Sequence, residues 1–192
     1  MVRDQEIIDH ILTKWGSVEE MRKLNESYRY TPPYPTLHLE DFLPEQCLQN
    51  LYEESQTIPK EFWTTFTRAD SYMEECKDLK EAPQARQLVS AMHSPEILNW
   101  MSKICDVGHL LPDPYLVGAG YMKSYRGDSL KIHSDFNWNE ECQTHRALSF
   151  ILYFTPIIAT FLNRKIYFFP KNHQYLRIFF RKTFYFAFLN NC

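Results

Sequence analysis

The hydrophobic pattern changes its period once, near residue 115, and that change limits the folds open to this chain. Before it, apolar residues recur at helical spacing. Ile7, Ile8, Ile11, Leu12 and Trp15 form one stripe, and Gly16 is placed to end that helix. Ser17 and Glu20 then spell a capping box ahead of a second short helix carrying Val18, Met21 and Leu24. After a proline-rich connector, YRYTPPYPT (28–36), the run TLHLEDFLPEQCLQNLYEES predicts a short strand, a turn and a helix with Pro44 in its first turn. Residues 84–105, broken at Ser94-Pro95, predict two further helices whose buried face is Leu88, Met92, Ile97, Leu98, Met101 and Ile104. From residue 115 onward YLVGAGYMKSY, SLKIH, RALSFILYF, RKIYFF and KTFYFAFL are strand-like runs of β-branched and aromatic residues. Helices first and strands after predict an α+β fold, with helices packed on the outside of an antiparallel sheet or barrel.

The 192 residues suffice for one domain with a proper core. A net charge of −3 gives no reason to expect nucleic-acid binding, and no apolar run is long enough to cross a bilayer. The N-terminal MVRDQEIIDH lacks the apolar run of a signal peptide. Cys47, Cys76, Cys105, Cys142 and Cys192 are odd in number, scattered and without a C-x-x-C pair, which argues against a disulfide framework or a structural zinc site. The expected location is therefore cytoplasmic. Charge is uneven along the chain. All 24 acidic residues lie in 1–156, whereas the last 36 residues hold six Lys or Arg, eleven Phe or Tyr, and no acid or glycine.

One short stretch carries chemistry. In LKIHSDFNWNEE (130–141), His133 and Asp135 alternate with Ser134, so on a strand they share a face. One strand end then offers an imidazole nitrogen and a carboxylate oxygen to the same ion. Two histidines and one carboxylate form a facial triad with open positions, the arrangement suited to non-haem Fe(II) and oxygen activation. A bare His-x-Asp is also common as a polar turn, so its surroundings must decide. The other histidines, His10, His38, His93, His109 and His145, read as structural or solvent-facing, and the acidic runs at 74–76 and 139–142 as solvated loops. Cys142 has no neighbouring cation or histidine to activate it. No nucleophile elbow, P-loop or Rossmann glycine pattern is present.

The surroundings are informative. DPYLVGAGYMKSYRGDSLKIHSDFNWNEECQTHRALSFILYFTP (113–156) resembles the core of the 2-oxoglutarate- and Fe(II)-dependent dioxygenases of the prolyl-4-hydroxylase type, and TLHLEDFLPEQCLQNL is similar to their opening segment. The resemblance covers residues 35–156 and is most specific over 125–138. It implies a double-stranded β-helix (jelly-roll) core flanked by the N-terminal helices. His133 and Asp135 match the first two iron ligands, Tyr125 a tyrosine turned toward the 2-oxoglutarate, and Tyr153 a second residue of that pocket. Gly118, Gly120 and Gly127 mark bends or close backbone approaches, and Asn137 braces the turn after the ligands.

Late in the chain, NRKIYFF resembles the family's strand before the distal histidine, and RKTFYFAF its arginine strand, which makes Arg181 the expected partner of the cosubstrate's far carboxylate. His173 is the only histidine between them and the candidate third ligand; in the other register Leu176 takes that place and His173 is a loop residue. The family's acidic W-G-G-x-L-x-L stretch after LYFTP is missing, and IIATFLNRK follows directly. A natural shortening, a mis-spliced gene and a frameshifted AT-rich tail all account for it. The expected organisation is thus a helical extension (1–34) and a dioxygenase-like domain (35–192) with an internal deletion near 156–160. Losing a hairpin exposes strand edges and makes a homodimer the expected association. The resemblance implies an oxidoreductase that uses Fe(II), 2-oxoglutarate and O2, with ascorbate as an accessory reductant, to hydroxylate a C–H bond of a protein, peptide or small molecule, including that of a prolyl residue. A catalytically inactive remnant serving as a binding module, and a cupin-like metal domain with other chemistry, are the alternatives.

Overall fold

The apolar stripes of the first half fold as helices that share one core. The computed structural model describes residues 2–32, 35–68, 71–117, 119–125, 137–153, 165–170 and 182–190. Helix α1 (Asp4–Trp15) buries Ile7, Ile8, Ile11 and Trp15, and Gly16 closes it by donating its backbone N–H to Leu12 O at 2.8 Å. Ser17 caps α2 (Val18–Tyr30), its Oγ accepting from Glu20 N at 3.2 Å. Strand β1 (Leu37–Glu40) follows the connector and leads through a turn to α3 (Glu45–Thr57), for which Pro44 is the N-cap and not part of the first turn. Helices α4 (Pro83–Met92) and α5 (Pro95–Cys105) divide at Ser94, whose Oγ accepts from Ile97 N at 3.3 Å. All six residues expected on their apolar face are buried.

Between α3 and α4 lies a hairpin that the sequence pattern does not announce: β2 (Thr64–Arg68) and β3 (Ser71–Cys76), paired antiparallel. Glu74–Cys76, read from sequence as a solvated loop, is the end of β3. Cys76 is fully buried there and Glu75 nearly so. Neighbouring strands make the difference, because β3 pairs on its other side with a strand more than forty residues away.

The remaining strands are β4 (Leu110–Leu111), β5 (Gly120–Lys123), β6 (Trp138–Asn139), β7 (Thr144–Tyr153), β8 (Lys165–Pro170) and β9 (Lys182–Asn190). All pairings are antiparallel, and the described strands form one sheet in the order β1-β8-β7-β9-β5-β3-β2, with β4 on β9 and β6 on β7. Helices and antiparallel strands are both present, but β1, β2 and β3 come before α4 and α5, so the order is not helices first and strands after. Strand β7 is buried on both faces: Leu148, Phe150 and Leu152 on one, Ser149 and Ile151 on the other.

Phe42, in the turn after β1, joins helices to sheet. Its ring lies 5.6 Å from Trp15, 6.2 Å from Trp100 and 5.7 Å from Phe150. Trp100 Nε1 donates to Trp15 O at 3.0 Å, which satisfies a buried indole and a helix-end carbonyl together. The buried cluster thus includes residues from both sides of the 34/35 boundary. A second tie is Glu54 of α3. Its carboxylate accepts from Gln84 N (2.6 Å), Ala85 N (3.0 Å) and the Tyr121 hydroxyl (2.7 Å), so one buried acid caps α4 and anchors β5. Among the described residues, no helix is long and apolar enough to cross a membrane.

Candidate metal and cosubstrate site

Of the residues proposed for the site, Tyr125 and Tyr153 are described, beyond the end of β5 and at the end of β7. Strand β9 pairs with β5 on one edge and β7 on the other, antiparallel to both. Lys123 is registered with Lys182, and Tyr153 with Thr183. The C-terminal ends of β5 and β7 and the N-terminal end of β9 therefore meet at one end of the sheet. Two strand spacings, about 10 Å, separate the outer pair. Tyr125 follows β5 by two residues, Tyr153 ends β7, and Arg181 immediately precedes β9. His133, Asp135, His173 and Arg181 themselves lie outside the described residues, as do Gly118 and Gly127.

Gly120 opens β5 at φ +148, and a Cβ there would collide with the carbonyl oxygen of Cys76. The expected close backbone approach at this glycine is therefore present: it lets β5 pair with β3. Tyr121, next in line, is buried, and its hydroxyl is tied to Glu54; burial first, then the Glu54 charge, pushes its pKa far up. Lys123 places its ammonium 3.1 Å from the centroid of the Trp63 ring, and Trp63 in turn packs against Tyr121.

The two tyrosines expected in the cosubstrate pocket differ in surroundings. Tyr125 is 58% exposed, and its hydroxyl donates to Glu74 Oε2 at 3.0 Å. Glu74 is registered with Lys123, so this bond lies on the sheet face that bears Trp63 and the helices. Tyr153 alternates with Leu152 and Phe150, which face the helices, and so lies on the opposite face with Ile151 and Ser149. The registers bring the strand ends together, but they do not bring these two side chains to one face.

After the His-x-Asp stretch, Asn137 O accepts from Arg146 N at 2.9 Å, and His145 Nδ1 lies 3.4 Å from the same oxygen. Both contacts are to the backbone carbonyl, which any residue at position 137 would offer. The Trp138 and His145 rings meet edge to face at 4.9 Å. Asn139 reaches inward to Asp113, with Nδ2 3.4 Å from Oδ2. Sequence reasoning did not single out Asp113, although an aspartate ahead of Pro114 at a turn is a usable signal.

Among the described residues, no group of three or more His, Cys, Asp or Glu could hold a metal ion. Cys47, Cys76 and Cys105 are free and buried, which raises their thiol pKa values (Cys47 to about 12) and makes them poor nucleophiles. Compared with known proteins, the chain matches no family model, and no curated protein matches it significantly.

Proposed function

We propose that the chain is an Fe(II)- and 2-oxoglutarate-dependent dioxygenase with a double-stranded β-helix core, which hydroxylates a C–H bond, that of a prolyl side chain included. The observation that carries this reading is the union of the YRGDSLKIHSDFN run with the register of β9, which sets the positions beside Arg181 level with the ends of β5 and β7. The donor chemistry fits: an imidazole and a carboxylate two residues apart, a later histidine, and an arginine for a dicarboxylate. In this reading His133, Asp135 and His173 hold the iron, and Arg181 pairs with the far carboxylate of the cosubstrate. Tyr153 lines the pocket, while Tyr125, on the opposite face, keeps its hydrogen bond to Glu74. Bound iron, with 2-oxoglutarate and O2, supplies oxidative decarboxylation to succinate and CO2, and delivery of the second oxygen atom to substrate.

The direct passage from LYFTP to IIATFLNRK favours a second reading, a non-catalytic binding module of the same descent. Turnover separates the two. Purified protein with Fe(II), ascorbate, 2-oxoglutarate and a set of proline-containing peptides should form succinate and a peptide heavier by one oxygen atom. Asp135→Ala should abolish both. Binding of a peptide without succinate above the mutant's level would favour the module.

A further inference from the structure

We draw no further inference here: the strongest candidate, the open groove between α1 and the N-terminus of α3 lined by Glu6, Asp9, His10, Thr13, Lys14 and Pro44, carries nothing, because as an anion site it rests on a helix N-terminus that lacks a side-chain cap, its His10 and Lys14 nitrogens already lie within hydrogen-bond distance of the Asp41 carbonyl, and no second observation points to a ligand.

Discussion

At the scale of single residues, the chain's buried polar groups are tied across long sequence distances. Glu54 caps a helix that begins 29 residues later, and Asp113 holds an asparagine 26 residues on. Neither role was legible in the sequence, because Glu54 sits in YEES, which reads as an exposed helical turn, and nothing local marks its partners. His93 gives the clearest pH signature. Burial lowers its pKa from 6.5 to about 4, with the Asp113 charge pulling in the opposite direction. The folded protein therefore keeps this imidazole neutral in a range where the unfolded chain protonates it. Its contribution is complete above pH 6.5 and is lost as pH falls toward about 4, at about 1.4 kcal/mol per pH unit, some 3 kcal/mol in all. Urea denaturation at pH 7.5 and pH 4.5 should show the gap between wild type and His93→Leu shifting toward the mutant at the lower pH. Parallel losses of stability in the two proteins would contradict this.

At the scale of elements, legibility followed the range of the interactions that fix each one. Helices α1, α2, α4 and α5 were readable from their own stripes and caps: Gly16, Ser17 and Ser94 all act as local signals suggested. The runs for β7, β8 and β9 were readable because β-branched and aromatic residues dominate them. The β2–β3 hairpin was not, since TTFTR and SYMEEC are polar and owe their strand state to β5. The β3–β5 joint turns on one glycine. Gly120→Ala places a methyl group against the Cys76 carbonyl in a conformation L residues rarely adopt. It should cost about 2–4 kcal/mol, read by chemical denaturation, with faster hydrogen exchange at Glu74–Cys76. A loss below about 0.5 kcal/mol would mean that β3 and β5 do not meet as described.

At the scale of the whole molecule, helices α1 and α5 and strand β7 share one core through Trp15, Phe42, Trp100 and Phe150, and one antiparallel sheet joins the described strands from β1 to β9. A mixture of helices and antiparallel strands could be read from the change of hydrophobic period, but the β2–β3 hairpin ahead of that change could not. The strand order could not, because pairings such as β1 with β8 join residues about 130 positions apart. The candidate site was legible only as a motif: His133 and Asp135 stand two apart in a specific run. The claim that binds these levels is that the His-x-Asp pair holds iron with 2-oxoglutarate. The most direct measurement is the anaerobic Fe(II) titration of wild type, His133→Ala and Asp135→Ala in the presence of 2-oxoglutarate, with circular dichroism to establish that all three are folded. The account expects a visible chelate band that saturates near one iron per chain in wild type and is lost in both variants. A folded wild-type protein with no band, or a band that survives either substitution, would contradict it.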